Sequence, residues 1–376
     1  MTPAPPETAP AWTHTGYAQR LHFGPGRLAD VPAILRELGR QRALLVTTEG
    51  RLASDDGRRL VAALGGRLAS TFAGARSHVP TTTVQAALQQ ARRDGIDAVV
   101  SFGGGSCADL GKAVGYFVEQ EAGTPGASWA DRPAVPHVAV PTTYSGAELT
   151  PFFGMTDEAA RRKQGAGGPT VAPLAAVYDP EVTLSTPPRV SAETGMNALA
   201  HCIEAAYSPA RTPEAEAVAR AGVARIASAL PAVVADPADL AARSAMLAGA
   251  VLGGRCLQNA GMGVHHGLAQ LLGGRTRIPH GLANAVLLAH AVRFNLDAVP
   301  AELRAVGEAL GDADDPAGAI ARLVARLGLP DRLSACGVTE DDVEAVAHLS
   351  QSAPTVAANP KPVTEADARA ILDAAF

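Results

Sequence analysis

The sequence lacks the patterns that mark membrane, secreted and nucleic-acid-binding proteins. None of its segments has about 18 uninterrupted apolar residues, the length that a membrane-spanning helix needs. Its four cysteines are widely spaced and include no CxxC pair, which argues against a disulfide framework or a cysteine-based zinc site. Its net charge is −5, and it has neither the excess of basic residues that is typical of nucleic-acid-binding proteins nor an acidic tail. We therefore expect a cytoplasmic protein with no membrane or nucleic-acid partner.

The first residues also lack the features of a signal peptide. Residues 1–16 are rich in proline and alanine but have no basic start and no apolar core, so we expect a flexible tail. The rest of the chain is long for a single hydrophobic core, and two domains are expected. Proline-rich sequence at 179–188 places the boundary between a domain at 17–185 and a second domain at 186–376.

The chain does contain an alternation of short β-branched apolar runs with amphipathic helical stretches. Runs at 43–48 and 98–102 alternate with helical patterns at 54–65 and 85–95. This alternation predicts an α/β domain with a doubly wound, mostly parallel sheet. From residue 191 onward the periodicity is helical, which predicts an all-α second domain.

The clearest motif of the first domain is a strand followed by three glycines, a serine and a helix. The glycines permit close approach of a ligand to the backbone, and the start of the helix presents free N–H groups to a phosphate. We interpret this segment as the pyrophosphate cradle of a dinucleotide, with a tight turn as the alternative. Its candidate cofactor residues are Gly103, Gly104, Gly105, Ser106, Asp109 and Lys112.

Two more loops follow predicted strands, at the end where open α/β sheets bind ligands. The loop after the strand at 137–140 is expected to line the nicotinamide side through Thr142, Thr143 and Tyr144. At the end of the first strand, Thr47 and Glu49 are candidates for the cofactor ribose, and the carboxylate favours NADH over NADPH by repulsion of a 2′-phosphate. The polar, glycine-rich stretch at 161–168 predicts a mobile surface loop, or a set of cations that meets an anionic ligand.

Four of the ten histidines fall within a stretch of 31 residues, from Gly261 to Ala291. His265 and His266 begin an apolar-periodic run that is predicted to end at two glycines, and His280 begins the next run, which indicates helix, loop and helix. Neutral imidazoles in a cleft bind metal or move protons near neutral pH. The alternative is a helical hairpin with histidines that are hydrogen bonded inside it.

An earlier helix carries polar residues that fit the same site. Asn197 and His201 lie four residues apart and share one face of an Ala- and Leu-rich helix, with Glu204 close by. Either these residues satisfy each other in the core, or they face a site together with His266 and His280.

The ordered motifs GGGS, PTTYSGAE, GMNALAHCIE and HHGLAQLLGG, followed by IPH, resemble those of the iron-containing alcohol dehydrogenase superfamily and, within it, of the maleylacetate reductases. The resemblance extends over nearly the whole chain. It implies a dehydroquinate synthase-like fold, NADH or NADPH as cofactor, a small-molecule substrate and a homodimer. It also implies a role in catabolism of aromatic compounds or in specialised metabolism.

The resemblance bears on metal binding. In metal-dependent members an aspartate and three histidines hold iron or zinc, and the matching residues here are Asn197, His201, His266 and His280. The neutral asparagine removes the one anionic ligand. Maleylacetate reductases also carry GMNA at this place and resemble enzymes that work without a metal, so we expect no metal. If a metal is bound, the ligands are His201, His266 and His280.

Three residues depart from the reductase pattern at positions that bear on the substrate. Gly267, Gln270 and Asn284 stand where the resemblance implies a lysine and two histidines, so a dicarboxylate pocket loses cationic partners. His265 points about 100° away from His266 and is expected to be a structural neighbour. The predicted pocket consists of Tyr144, His265, Gln270 and Asn284. The cations that are candidates to replace the lost charge are Arg162, Lys163, Arg275 and Arg277.

These observations predict an NAD(P)H-dependent reductase that transfers a hydride to the activated double bond of an unsaturated oxo acid, as in the reduction of maleylacetate to 3-oxoadipate. We expect His266 and His280 nearest the reacting atoms, with Asn197 and His201 orienting the ligand or a partner imidazole. One alternative is a metal-dependent alcohol dehydrogenase of the same fold, with zinc or iron. Another is a reductase-like scaffold recruited to a non-redox reaction or to ligand binding.

Overall fold

The structure, a computed structural model, describes residues 12–123, 133–160, 162–276 and 278–376. Most of the predicted tail, residues 1–11, lies outside these ranges. Within them, the strands end at Tyr178, and the elements that follow are helices.

The described strands are β1 (Arg20–Phe23), β2 (Ala43–Val46), β3 (Leu68–Phe72), β4 (Ala98–Gly103), β5 (His137–Pro141), β6 (Phe152–Asp157), β7 (Arg162–Gly167) and β8 (Ala175–Tyr178). Six of them form one parallel sheet in the order β1-β8-β5-β4-β2-β3. The central strands are apolar and buried along their whole length, which is typical of a sheet covered on both faces. The predicted doubly wound parallel sheet is confirmed.

The crossover helices of this sheet are α1 (Val31–Glu37), α2 (Glu49–Leu52), α3 (Asp55–Leu64), α4 (Thr81–Asp94) and α5 (Gly105–Glu121). Alternate side chains of the strands pack with α1 and α3 on one face and with α4 and α5 on the other. Because the strands are parallel, their carboxyl ends lie at one edge, where the loops after β4 and β5 meet.

Strands β6 and β7 form a separate antiparallel hairpin in which Asp157 pairs with Arg162 and Phe152 pairs with Gly167. The expectation of a mobile loop at 161–168 is therefore wrong for residues 162–167. The β7 sequence, RKQGAG, has no apolar alternation, so its strand conformation depends on pairing with β6, whose Phe153 is buried in the core.

The second half of the chain is helical, as predicted. Its helices are α6 (Pro188–Tyr207), α7 (Pro213–Ala235), α8 (Leu240–Asn259), α9 (Val264–Thr276), α10 (His280–Asn295), α11 (Pro300–Leu310), α12 (Pro316–Arg326), α13 (Glu340–Ser350), α14 (Pro354–Ala357) and α15 (Glu365–Ala375). Helix α6 is buried at nearly every position because α7, α8 and α10 pack around it. Helix α9 continues through Gly273 and Gly274, so the predicted helix end at these glycines is wrong. Its packing on α13 and α14 outweighs a propensity cost of about 1 kcal/mol per glycine.

Helices α7 and α8 are long and apolar enough, by length and composition, to span a membrane. Both pack against α6 and against each other, and their buried residues belong to one core with it. This packing accounts for their apolar character. The predicted domain limits, 17–185 and 186–376, stay a prediction.

Candidate active site

The predicted phosphate cradle has the expected strand, turn and helix. Helix α5 begins at Gly105 and includes Ser106 in its first turn, and its N-cap residue Gly104 is extended without a side-chain cap. The first N–H groups of the helix are therefore available to a ligand. Gly103 has a φ of 150°, and a Cβ there would lie 2.5 Å from Cys107 Sγ, so only glycine fits this turn.

The loop after β5 lies directly against the cradle. A Cβ on Gly104 would lie 3.2 Å from Thr143 Oγ1, and one on Gly105 would lie 2.7 Å from Ser145 Oγ. The hydroxyl oxygens of Thr142, Thr143 and Ser145 are buried and have no hydrogen-bond partner among the described residues. A buried polar group without a partner costs about 1 to 3 kcal/mol. Backbone donors, side-chain hydroxyls and the space left by the glycines thus fit a dinucleotide.

Lys112 anchors a loop, and its enclosed side chain leaves no surface for a ligand, which corrects its predicted cofactor contact. Its side chain is fully enclosed, and its ammonium donates to Ala147 O at 2.8 Å and to Thr150 Oγ1 at 2.9 Å. Its other neighbours are Phe152 O at 2.5 Å and a carboxylate oxygen of Asp109 at 2.7 Å. Asp109 also accepts the N–H of Gly154 at 3.3 Å, which joins α5 to β6. The predicted contact of Asp109 with the cofactor stays a prediction.

The predicted cofactor contacts of Tyr144 and Thr47 are also corrected, because both side chains are completely buried in the core. The hydroxyl of Tyr144 accepts a hydrogen bond from the Arg243 guanidinium at 3.3 Å. The hydroxyl of Thr47 donates to Phe102 O at 2.7 Å. Neither side chain has surface left for a ligand. Glu49 is exposed in the first turn of α2 and stays a candidate for the cofactor ribose.

Arg243 on α8 was not predicted to belong to the site. Its buried guanidinium donates to Ser191 Oγ at 2.8 Å and to Thr186 O at 3.0 Å. The Thr186 hydroxyl in turn donates to Thr142 O at 2.7 Å, so this network holds the loop after β5. The available sequence signal was one arginine in an otherwise apolar stretch of α8.

Histidines from three helices meet beside the loop after β5. We call His201, His266 and His280 the histidine cluster. The rings of His201 on α6 and His266 on α9 are stacked, with centroids 4.7 Å apart. The ring of His280, the first residue of α10, lies 6.1 Å from that of His266. A Cβ on Gly146 would lie 3.9 Å from His201 Nδ1, which places the loop after β5 against the cluster. The structure therefore brings the predicted catalytic histidines together next to the cradle.

A buried carboxylate holds one of these rings. Glu204 on α6 accepts the backbone N–H groups of Gly263, His265 and His266 at 3.0, 3.1 and 3.3 Å. Its Oε2 lies 2.5 Å from His266 Nδ1. Burial raises the pKa of Glu204, but the hydrogen bonds from His265 and His266 outweigh burial and hold that pKa below its usual range. Because an ionised carboxylate only accepts, His266 Nδ1 carries the hydrogen and the neutral ring presents the Nε2 lone pair.

The remaining pocket residues have different surroundings. His265 is completely buried, its Nε2 lies 2.9 Å from Asn284 O, and its Nδ1 lies 3.2 Å from His266 Nδ1. These surroundings agree with the expectation that His265 is a structural neighbour of His266, and they leave its side chain no surface for a substrate. Asn284 is buried and donates to His280 O at 2.7 Å. Gln270 is exposed, one turn after His266 on the same helix.

Several polar atoms at the cluster lack a partner. Among the described residues, the buried side-chain atoms without a hydrogen bond include Asn197 Oδ1, His201 Nδ1, His266 Nε2, His280 Nδ1 and Asn284 Oδ1. The amide of Asn197 makes a long hydrogen bond of 3.5 Å to Ser145 O. Such atoms are rare in protein interiors and indicate a place for a ligand or water.

Burial keeps the histidine cluster uncharged. It lowers the pKa of His201 and His280 well below the ordinary value, assisted by His266 at the first and by the positive charge of Lys163 at the second. Burial also lowers the pKa of His266, because the opposing effect of Glu204 is smaller. Near neutral pH the site therefore contains three neutral imidazoles.

These shifts predict a loss of stability in mild acid. The unfolded histidines take up protons at about pH 6.5, whereas the folded ones resist protonation, so their stabilising contribution is present above about pH 6.5 and is lost below it. As the pH decreases, the free energy of unfolding falls, and each such histidine adds up to about 1.4 kcal/mol per pH unit to that fall. Urea unfolding at pH 7.5, 6.5 and 5.5 should give a shallower fall for His201→Gln than for the wild type. Substitution of the exposed His348 is the control and should leave the slope unchanged. Equal slopes in all three proteins would contradict the prediction.

Comparison with known proteins gives the family. The family model described as "Iron-containing alcohol dehydrogenase" matches residues 18–180, and that described as "Fe-containing alcohol dehydrogenase family, C-terminal" matches residues 191–376. The chain belongs to the iron-containing alcohol dehydrogenase family. The predicted family and fold class are confirmed, and the chain is an NAD(P)-dependent oxidoreductase of this family.

Individual relatives extend over nearly the whole chain. A maleylacetate reductase from Rhizobium sp. (strain MTP-10005) is 36% identical over 365 residues, 97% of each chain. The crystal structure of maleylacetate reductase from Agrobacterium tumefaciens has a TM-score of 0.86 and 34% identity, over 98% of this chain and 99% of that chain. The structure of sulfoacetaldehyde reductase from Bifidobacterium kashiwanohense in complex with NAD⁺ has a TM-score of 0.88 and 26% identity, over 98% and 99%.

The family name implies iron, and the cluster offers a divalent ion three imidazoles but no carboxylate ligand. Asn197 contributes a neutral amide, which is a poor ligand beside three imidazoles. Among the described residues, the group of three possible ligands whose donor atoms all lie within 4.8 Å of one another is Glu204, His265 and His266. All three are enclosed and hydrogen bonded within the group, so this group is a structural network. We assign no chemical step to a metal.

Proposed function

We propose that the protein is an NAD(P)H-dependent reductase that converts maleylacetate to 3-oxoadipate, or reduces a closely related unsaturated oxo acid. The observation that carries this proposal is the unbroken path from the glycine turn, across Thr143 and Ser145, to the histidine cluster. This path supports a dinucleotide bound beside imidazoles whose buried nitrogens have no hydrogen-bond partner among the described residues. The relatives named maleylacetate reductases support the substrate class.

The reaction requires one hydride and one proton. The reduced nicotinamide supplies the hydride, which forms a C–H bond at the alkene carbon farther from the ketone. The electron pair of the C=C bond moves toward the ketone oxygen and gives an enolate, and a proton then adds to the carbon beside the ketone. The protein has to stabilise negative charge at that oxygen and deliver the proton.

We assign proton delivery to His266 and charge stabilisation to His280. Because the resting ring is neutral, the proton comes from solution and passes through His266 Nε2, and Glu204 stabilises the transient imidazolium at Nδ1. The lowered pKa of the ring favours transfer of this proton to the substrate carbon. His280 is the first residue of α10, whose N-terminus has no side-chain cap and favours negative charge. Asn197 and His201, beside the same space, orient the substrate.

We further propose an enzyme without a resident metal that acts in the cytoplasm as a homodimer. The neutral Asn197 supports the absence of a metal. The exposed Glu49 near the end of β2 supports NADH over NADPH, because its carboxylate repels a 2′-phosphate. The homodimer is inferred from the family resemblance alone.

The test is oxidation of NADH and NADPH by the purified protein with maleylacetate, with and without EDTA, with bound zinc and iron quantified on the same sample. We expect turnover that survives chelation in metal-free protein. Asn197→Asp is the matched variant, because it supplies the missing anionic ligand and changes little else. We expect this variant to retain zinc after dialysis and the wild type to lose it.

The other outcomes separate the alternatives. Turnover that is lost on chelation and restored by zinc or iron would favour the metal-dependent alcohol dehydrogenase. Reduced cofactor that binds but is never consumed, with maleylacetate or with other enones, would indicate a scaffold with a non-redox role. The first result would reject an enzyme without a resident metal, and the second would reject the proposed reaction.

A further inference from the structure

The first turn of α9, the helix that carries one histidine of the cluster, is capped by side chains from two other parts of the chain. Its first intrahelical hydrogen bond runs from Gly267 N–H to Gly263 O at 3.0 Å, so the four preceding N–H groups need other acceptors. Glu204 accepts three of them. The fourth, the N–H of Val264, donates to Asn359 Oδ1 at 3.2 Å. Two separate acceptors therefore complete the start of this helix.

Gly263 allows both acceptors to approach the helix. A Cβ at this position would lie 2.8 Å from Asn359 Oδ1 and 3.0 Å from Glu204 Oε1, which is tighter than ordinary van der Waals contact. Any other residue would therefore push at least one acceptor away. Glycine also has no side chain that could cap the helix itself, so the cap depends on Glu204 and Asn359 together.

The side-chain amide of Asn359 has a partner at each of its hydrogen-bonding positions. Its Oδ1 also accepts from Asn295 Nδ2 at 3.1 Å. Its Nδ2 donates to Asn295 Oδ1 at 2.8 Å and to Lys361 O at 3.0 Å. Because a backbone N–H binds one end of the amide and a backbone carbonyl binds the other, the oxygen and the nitrogen cannot exchange places. Both asparagines are buried, so loss of this amide would leave polar groups without partners.

The segment that carries Asn359 is stiff enough to serve as an anchor. Pro360 follows it directly, and Pro362 follows Lys361. Each proline ring fixes its own φ and restricts the residue before it to extended conformations. The backbone N–H of Asn359 donates to Val356 O at 3.1 Å, which ties the segment to the end of α14. The amide therefore has a fixed position from which to hold α9.

A second anchor matters because the first one is a single carboxylate. Glu204 accepts the N–H groups of the turn and also the Nδ1–H of His266, so the turn and the ring could rotate together about this one group. Asn359 holds the same turn at Val264, two residues before His266. Two anchors on different elements remove that rotation and fix the direction in which the histidine side chain leaves the helix.

We propose that Asn359 is a positioning residue for the reaction. Together with Glu204 it fixes the first turn of α9, which keeps His266 Nδ1–H directed at the carboxylate and Nε2 directed away from it. The inference rests on the proposed function only for the reaction whose rate is measured. The hydrogen bond between His266 and Glu204 does not depend on that reaction, so positioning can be tested without substrate.

The first test is the long-range ¹H–¹⁵N NMR spectrum of the protein labelled with ¹⁵N-histidine, which reports the ring nitrogen that carries the hydrogen. Comparison with His266→Gln assigns the signals. We expect His266 in the wild type to carry its hydrogen on Nδ1, and in Asn359→Ala to give a mixture of the Nδ1–H and Nε2–H forms. Asn359→Ser is the milder variant and should change the signals in the same direction. Asn359→Asp keeps an acceptor for the Val264 N–H and should restore most of the wild-type spectrum.

Two control variants separate positioning from a general loss of stability. Leu35 is completely buried in the core beside the parallel sheet, so Leu35→Ala should lose a comparable amount of stability far from α9. Lys361→Met removes an ion pair with Asp297 and keeps the carbonyl to which Asn359 donates. Both controls should have the wild-type His266 signals. Thermal unfolding of each variant measures its stability.

The second test is steady-state kinetics with maleylacetate and NADH. We expect Asn359→Ala to lower kcat on the order of 10- to 100-fold, the loss typical of a small displacement of a catalytic group, and to leave the KM for NADH within about 3-fold of the wild type. Asn359→Asp should recover most of the lost kcat. Both control variants should have the wild-type kcat.

The NMR result decides the proposal. A wild-type His266 with its hydrogen on Nε2, unchanged His266 signals in the folded Asn359 variants, or an equal change in Leu35→Ala would overturn it. If the signals change as expected but the wild type does not reduce maleylacetate, the proposed reaction is rejected and the positioning role is supported. Turnover by the wild type, with unchanged signals and kcat in the Asn359 variants, would do the reverse.

Discussion

Replacement of His266 with alanine is expected to lower kcat for maleylacetate reduction by about 10²- to 10⁴-fold, the usual range for loss of a positioned acid–base group. His266 is the ring whose Nδ1 is held by Glu204 and whose buried Nε2 has no partner among the described residues. Its stacking on His201 fixes the ring plane, so no other group of the cluster can occupy its position without rearrangement. The measurement is steady-state kinetics with saturating NADH.

The split between kinetic parameters distinguishes a catalytic role from a structural one. The KM for NADH should stay within about 3-fold of the wild type, because the cradle at Gly103 to Gly105 lies on the other side of the loop after β5. His348→Ala is the control, since that histidine is exposed on α13 and bonded to Glu365. A kcat within about 3-fold of the wild type in His266→Ala would remove this residue from the reaction.

Glu204→Leu is expected to destabilise the protein by about 3 to 5 kcal/mol and to reduce kcat as well. The carboxylate accepts three backbone N–H groups at the start of α9 and the Nδ1–H of His266, and leucine leaves all four donors buried without an acceptor. The free energy of unfolding in urea and the kcat measure the two effects. The stability difference should be complete at pH 7. The folded-state pKa of Glu204 is depressed, so its contribution is lost only as the pH falls below about 4.3, where the unfolded carboxyl titrates.

Glu193→Leu is the matched control on the same helix. Glu193 pairs at 2.9 Å with Arg189, whose side chain is mostly exposed, so its removal leaves no buried donor without an acceptor and should cost less than removal of Glu204. Glu204→Gln keeps the shape and one acceptor oxygen, and we expect an intermediate loss of stability with a kcat below that of the wild type. If Glu204→Leu and Glu193→Leu unfold at the same urea concentration, Glu204 does not organise α9 as described.

Local sequence patterns predicted the parts of the site that depend on one element. The glycine turn after β4 has its predicted form because only glycine permits the backbone conformation and the close approach to Cys107. Asn197 and His201 share a helix face because four residues complete about one turn. The clustering of His266 with His280 was implied by the family resemblance, because the short connection between α9 and α10 does not by itself bring the starts of the two helices together.

Predictions about side-chain direction were less accurate. Lys112, Tyr144 and Thr47 lie in segments that suit a cofactor site, yet each turns into the core and finds a protein partner. A residue type and its position in the sequence do not reveal which neighbour from a distant element competes for its hydrogen bonds. The same reason explains why the contribution of Arg243 to the loop after β5 went unpredicted.

The sequence by itself determined the fold class, the family, the glycine cradle and the set of histidines, because each depends on periodicity or on short motifs. Only the tertiary structure decided which groups act together. It placed Glu204 against His266, and it formed β7 from a glycine-rich stretch by pairing that stretch with β6. These arrangements depend on burial and on contacts between residues far apart in the chain, which lower the pKa of each histidine and which no local pattern records.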